Sequence, residues 1–387
     1  MFQKTTNFAS SKYINNMKKL ITHLLMITAL SFAIQGCHKT KMLPSGPKIV
    51  SNTRFMLEET ASFSVINAGK SSPVEIDFGD GNNATGTVAD QFLHKYMTAG
   101  DYKVTVKVSG EEIEKTVRVY NLLSLKALMP IVAAQDHDKI MVMSHRANST
   151  DKSIPENSIS AVEECVRLGV DIVEADTHLT LDGVVVICHD QTIDRTTNGT
   201  GDITQMTLEE IKSYRLLDRE GNITTETMPT LEEYLKAARG RVYVNLDYSP
   251  RTAGTEAVFS VVRKLDMVQS VLLYCNSAAK VQECLSIDEN AQVYPWATVY
   301  SPLVGKGIYF VQYNSNTAIG SAIKDGMVCT VNMSSVAGGS ESNLNGKAFI
   351  LDESEVDTIL DSFPFVRVLH TDTPEELIRY LNSKGLR

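Results

Sequence analysis

Between residues 139 and 387 short apolar runs alternate with amphipathic stretches, and this rhythm constrains the fold more than any other feature of the chain. The runs fall near 140–144, 171–176, 242–247, 270–274, 292–296, 308–312, 327–332 and 366–369. Eight strand-length runs separated by helix-compatible segments predict an α/β fold, a parallel (β/α)8 TIM barrel. Helix starts are legible at Thr207…Glu210, Thr230…Glu233 and Thr373…Glu376, which have capping-box spacing. Pro374 suits a first helical position, and Gly385 a stop. A ninth run, 184–188, follows the second too closely for a parallel crossover, so it must return antiparallel. With Asp182-Gly183 as its tight turn, 177–189 reads as a hairpin that carries His189 back toward the strand top.

Before the barrel, residues 48–121 alternate with period two, as in Val74-Glu75-Ile76-Asp77-Phe78 and Tyr102-Lys103-Val104-Thr105-Val106. Gly/Asp/Asn turns between such runs predict a small all-β antiparallel sandwich. Asp77-Phe78-Gly79-Asp80-Gly81 and the later His94-Lys95-Tyr96…Gly100-Asp101-Tyr102 resemble the PKD family, an immunoglobulin-like module. Ile76 stands where that family usually has tryptophan. The resemblance implies a spacer or binding domain, with an envelope or extracellular partner, and no chemistry. Asp77 and Asp80 are expected to cap their turn rather than bind calcium. His94 fits the core of this unit. Residues 122–138 form a connector whose apolar positions suit a short helix docked on the barrel.

With 46 acidic against 37 basic residues, the net charge of −9 offers no basic face for nucleic acid. From Met17 the chain reads two lysines, about fifteen mostly apolar residues, then Gly36-Cys37, which is the layout of a secretory signal too short for a comfortable membrane span. Ile34-Gln35-Gly36-Cys37 resembles a lipoprotein cleavage box, despite Gln35. Residues 1–37 are therefore expected to be a lipoprotein signal, with Met17 the expected start, lipidated Cys37 attaching the chain to a membrane, and 38–47 a tether. That places the protein in the cell envelope, facing the periplasm or the exterior. Cys165, Cys188 and Cys329 lie in helix or strand patterns and read as small core residues.

Active sites of such barrels lie at the carboxyl ends of the strands. The first strand ends in His145-Arg146, the second carries Glu174 and Asp176 on one face, the hairpin ends in His189-Asp190, and the third barrel strand ends in Asp247. Three converging carboxylates call for a cation, and oxygen ligands favour Mg²⁺ or Ca²⁺ over zinc. Two histidines beside that cation suit hydrolysis of a phosphate ester, with one imidazole as base and the other as acid, and Arg146 gripping phosphoryl oxygens. Glu156 and Asn157 either cap the first barrel helix or orient Arg146. His178 shares the face of Glu174 and Asp176, His370 is expected to pack before the last helix, and Asn198, Gly199 and Gly201 to make a turn.

Ser144-His145-Arg146, Pro155-Glu156-Asn157-Ser158, Val173-Glu174-Ala175-Asp176, His189-Asp190, Asp194-Arg195-Thr196-Thr197-Asn198-Gly199 and His370-Thr371-Asp372-Thr373-Pro374 occur in the order seen in the glycerophosphodiester phosphodiesterase family. Residues 139–387 resemble that family. The resemblance implies hydrolysis of glycerophosphodiesters to glycerol 3-phosphate and an alcohol. It also implies His145 and His189 as the acid/base pair, Arg146 on phosphate, and Glu174, Asp176 and Asp247 on a divalent metal. Two departures stand out: Asp247-Tyr248-Ser249 replaces a Glu-x-Lys block, and Cys329 replaces a tryptophan. Either Lys280 or Arg251 supplies the missing cation, or the substrate differs. The alternatives are therefore another diester, such as glycerophosphoinositol or a wall or lipid headgroup, or an anchored binding protein without turnover.

Overall fold

The computed structural model describes residues 46–134, 140–248, 251–332, 356–357, 360–361 and 365–387. The signal run, Cys37, most of the tether and Ser249 lie outside the described residues. Eight strands come first: β1 (Lys48–Val50), β2 (Arg54–Leu57), β3 (Thr60–Ile66), β4 (Pro73–Asp77), β5 (Asn83–Thr87), β6 (Phe92–Lys95), β7 (Gly100–Val108) and β8 (Glu111–Leu123). They make two sheets, in the orders β1-β3-β6 and β2-β8-β7-β4-β5. Alternate residues from both sheets, among them Phe63, Ile76, Phe78 and Val106, bury into one shared core, as period-two patterning requires. Ile76 is wholly enclosed there.

The turn aspartates behave as caps: Gly79 N–H donates to Asp77 Oδ1 at 2.8 Å and Asn82 N–H to Asp80 Oδ1 at 3.1 Å. His94 stacks on Phe78 with ring centroids 4.2 Å apart and bonds Asp80 at 2.7 Å.

β8 runs directly into the connector helix α1 (Leu125–Ala133), capped by the Ser124 side chain. Leu125, Met129 and Val132 of α1 pack against Met141, Met143, Ile172, Tyr243, Tyr294 and Phe310. These six come from the starts or interior faces of barrel strands, so α1 closes the amino-terminal end of the barrel.

The second half alternates strand and helix: β9 (Met141–Ser144), α2 (Ile159–Leu168), β10 (Ile172–Leu179), β11 (Val185–Ile187), α3 (Leu208–Lys212), α4 (Leu231–Ala238), β12 (Tyr243–Asp247), α5 (Thr255–Lys264), β13 (Val271–Cys275), α6 (Ala278–Ile287), β14 (Gln292–Pro295), β15 (Phe310–Gln312), α7 (Asn316–Lys324), β16 (Val328–Asn332), β17 (Val366–Thr371) and α8 (Pro374–Ser383). The sheet order β14-β13-β12-β10-β9-β17-β16-β15 is that of a nearly closed parallel barrel, each strand coinciding with one of the eight apolar runs. At the β14–β15 seam a parallel bridge joins Trp296 to Gln312. The ninth run is β11, antiparallel to β10 with Thr177 opposite Ile187.

Capping boxes form at Thr207 and Thr230. The one expected at Thr373 does not: its side chain makes no cap bond, and α8 starts on Pro374 instead. The Thr373 N–H donates to Thr371 Oγ1 at 3.1 Å, which ties the turn back to β17. Gly385 adopts φ 71°, the left-handed stop expected of it.

Candidate active site

Strand parity builds the mouth. Met143, Ile172, Tyr243 and Val368 point into the barrel against α1. Residues two and four further along share that face, which brings His145, Glu174, Asp176, Asn245, Asp247, His370 and Asp372 to the interior near the carboxyl ends. One carboxylate oxygen from each of Glu174, Asp176 and Asp247 lies within 4.8 Å of the others. Burial and the charge of Asp176 push Glu174 up to about 8, and the same two causes push Asp247 up to about 6. Asp247 Oδ1 is buried with no hydrogen-bond partner among the described residues. An all-oxygen cluster that resists holding its negative charge, with a buried acceptor still unmatched, fits a hard divalent cation.

Backbone strain aims the first block. After β9, Arg146 and Ala147 both take φ 53°, left-handed conformations that cost of order 1–3 kcal/mol each. The turn is held because Arg146 N–H donates to Glu174 Oε2 at 2.8 Å and Arg146 C=O accepts from Asn157 N–H at 2.8 Å. Asn157, itself at φ 56°, donates its side-chain amide to Asp176 Oδ2 at 3.1 Å. The Arg146 guanidinium bonds Glu156 at 3.3 Å and lies 3.9 Å from Asp176. Glu156 and Asn157 thus orient the site and do not cap α2, a role taken by Ser158.

Each histidine has its own aspartate. His145 Nδ1 bonds Asp372 Oδ1 at 2.8 Å, and Asn148 steadies the same oxygen at 2.9 Å. His189 Nδ1 bonds Asp190 Oδ1 at 2.6 Å, while Arg195 grips Asp190 at 2.6 Å and Glu156 through two further bonds of 2.9 and 2.8 Å. Burial opposes protonation of His145, but the Asp372 bond and charge outweigh it and raise the imidazole above its ordinary value. Burial lowers His189, and the nearby Arg146 charge adds to that while Asp176 and Asp190 oppose it.

Arg251 is the cation that reaches the cluster: Nη2 lies 2.7 Å from Asp176 Oδ1 and 3.2 Å from Asp247 Oδ2, and Nη1 donates to the His189 carbonyl at 2.6 Å. A turn bond from Arg251 N–H to Tyr248 C=O, 3.0 Å, folds it back over the strand end. Lys280 is engaged elsewhere, on Thr255 at 3.0 Å and Glu283 at 2.8 Å. His178 does not join the carboxylates; it bonds Thr252 at 2.9 Å and the His189 carbonyl at 3.2 Å, buttressing the hairpin end. His370 is buried with its ring 5.2 Å from that of His145, edge to face, and burial with the His145 charge lowers it to about 3. Asn198 makes a turn contact, its side chain accepting from Arg215 N–H at 2.8 Å.

Asp372, Asp190, Asn148 and Arg195 carry no role on spacing alone. Asp190 had a signal in its adjacency to His189. Asp372 had one in strand parity, four residues beyond the interior-facing Val368.

Fold and site together define a (β/α)8-type barrel with a cluster of three carboxylates and two aspartate-paired imidazoles at its mouth. The Glycerophosphoryl diester phosphodiesterase family model matches residues 145–302. A glycerophosphodiester phosphodiesterase of Caldanaerobacter subterraneus is 45% identical over 96 residues, which are 24% of this chain and 39% of that protein. The chain therefore spans well under two thirds of the length of this curated relative. A crystal structure of a glycerophosphoryl diester phosphodiesterase from Parabacteroides distasonis superposes with a TM-score of 0.57 at 21% identity, covering 68% of this chain and 94% of that one. An Oleispira antarctica phosphodiesterase, solved in complex with the product sn-glycerol-3-phosphate, superposes with a TM-score of 0.50 at 17% identity, covering 62% and 96%. These two likenesses concern the fold.

Proposed function

We propose that the protein hydrolyses glycerophosphodiesters to glycerol 3-phosphate and an alcohol at this mouth, with a divalent cation, Mg²⁺ or Ca²⁺, held by Glu174, Asp176 and Asp247. The observation that carries the reading is the meeting of three carboxylates within 4.8 Å beside two histidines that each bond an aspartate. When bound, the cation supplies Lewis-acid polarisation of a phosphoryl oxygen. Arg146 and Arg251 offer guanidinium donors to the phosphate. The aspartates hold both imidazoles through Nδ1, which fixes ring orientation for proton transfer. The opposite pKa shifts support a division of labour. His145, raised, gives its proton to the leaving alkoxide, and His189, lowered, takes one from the nucleophile, each worth roughly 10²–10⁴-fold.

Release of glycerol 3-phosphate from glycerophosphocholine or glycerophosphoethanolamine is expected with Mg²⁺ or Ca²⁺ and is expected to stop with chelator. Full activity in a His145→Ala, His189→Ala double variant would refute the assignment. Arg251 at the carboxylates favours turnover over a silent binding role, since a cation is present despite Ser249. A panel that includes glycerophosphoinositol and headgroup diesters separates the substrate readings.

The N-terminal half is read as a PKD-like sandwich over 48–121, and 139–387 as the barrel domain, with 122–138 between them. The two-sheet core and the Asp77–Asp80 turn support this reading. The signal at 1–37 with lipidated Cys37 puts the protein in the cell envelope. Fatty-acid labelling that persists in Cys37→Ala would remove that anchor.

A further inference from the structure

Cys275 and Cys284 stand apart from the other described cysteines. Their sulfurs lie 3.9 Å apart, in van der Waals contact, where β13 ends and α6 packs back against it. Cys165, Cys188 and Cys329 instead meet backbone or hydroxyl oxygens, at 3.4, 3.8 and 3.7 Å. Tyr248, the residue after Asp247, places its hydroxyl 2.7 Å from Cys284 Sγ. Lys280, one turn earlier on α6, holds its ammonium 5.8 Å from the Tyr248 ring and 2.8 Å from Glu283. We propose that Cys275 and Cys284 are a redox pair that closes to a disulfide when the chain folds under oxidising conditions, fastening α6 to β13 beneath the strand end that carries Asp247.

The geometry asks little. Sulfurs in contact need close by under 2 Å to reach the roughly 2.05 Å of a disulfide. The two thiols are also unequal: the hydrogen bond from Cys275, with Tyr248 helping against burial, lowers Cys284, whereas the same bond and burial raise Cys275. Both residues are fully enclosed in the folded barrel, so exchange takes place while α6 is undocked. One of the two thiolates attacks a low-molecular-weight disulfide and expels one small thiol. The other thiolate then attacks the mixed disulfide at the protein sulfur and expels the second. Two electrons pass from the protein sulfurs to the small disulfide, and both protons leave on the released thiols.

The inference stands apart from the catalytic reading, and its test does not use activity. The full chain is unfolded in reductant, refolded in excess oxidised over reduced glutathione, quenched in acid, then denatured, alkylated and mapped by peptide mass spectrometry. The expected result is a linked Cys275–Cys284 peptide, two hydrogens lighter than the reduced form, with Cys165, Cys188 and Cys329 alkylated. Its melting temperature should exceed that of the reduced chain by several degrees, a difference absent in Cys284→Ser. Alkylation of both Cys275 and Cys284 in that buffer, in a chain with native circular dichroism, overturns the proposal; so does linkage spread evenly among other cysteines. If refolding or the variant fails, wild-type protein exported to a bacterial periplasm and purified without reductant is mapped instead, with the same two readings.

Discussion

The two imidazoles at the barrel mouth differ in what holds them. Asp372 is buried, yet its bonds to His145 and Asn148 keep it charged below the usual carboxylate range. Because Asp372 raises His145, Asp372→Asn should lower the imidazole's pKa and move the alkaline limb of the kcat profile to lower pH. A fall in kcat of roughly 10²–10⁴ should accompany this. A pH profile together with imidazole NMR titration checks both, and an unmoved limb would show that the bond only packs. Arg251 and Lys280 give a second contrast. Arg251→Met should cost about tenfold to a hundredfold in kcat/KM, the scale of a charged hydrogen bond, while Lys280→Met should leave it nearly unchanged. The three carboxylates and the two histidines were legible because each lies at or near the end of an apolar run. Asp372 and Arg251 were less so, since their roles depend on a contact 227 residues distant and on a turn that folds back across a strand end.

Among the elements, strands were the most readable, because burial inside a barrel demands unbroken apolar runs and the hairpin was too short to be anything but antiparallel. Helix starts were readable where the cap is local. Thr230 accepts from Glu233 N–H at 3.2 Å, and Glu233 returns a bond to Thr230 N–H at 2.8 Å. Thr373 has the same spacing without the cap, because Thr371 and Pro374 already fix that turn. Thr230→Ala is therefore expected to cost about 1 kcal/mol and Thr373→Ala clearly less, measured by urea denaturation. Equal losses would mean that the box at Thr230 contributes nothing of its own. The fit of α1 against the barrel floor was only half visible: its apolar positions were plain, but not the Met and Tyr residues from distant strands that receive them.

At the level of the whole molecule, the two halves meet at barrel loops that precede strands. Thr53 bonds Asp266 at 3.2 Å, Leu125 N–H donates to Gln269 C=O at 2.8 Å, and Tyr243 OH donates to Leu123 C=O at 2.7 Å. Gly240, at φ 71°, lies against the Tyr120 ring where any Cβ would collide. At this junction burial pushes Glu59 up to about 7, with Asp266 adding to it against the opposing Met56 N–H bond. A carboxyl raised above its unfolded value of 4.5 contributes stability that is whole below that pH and fades as pH rises through about 7. Melting temperature should accordingly decline between pH 5 and 8 in the wild type and decline less steeply in Glu59→Gln, where Glu174 and Asp247 still titrate in that window. A parallel decline in both would place the titrating group elsewhere.

The stopper helix α1 has a directional consequence. It seats the small domain under the floor of the barrel, at the pole opposite the carboxylates, so a surface gripping the amino-terminal half would see the closed end of the molecule. The opening would look outward, away from that surface.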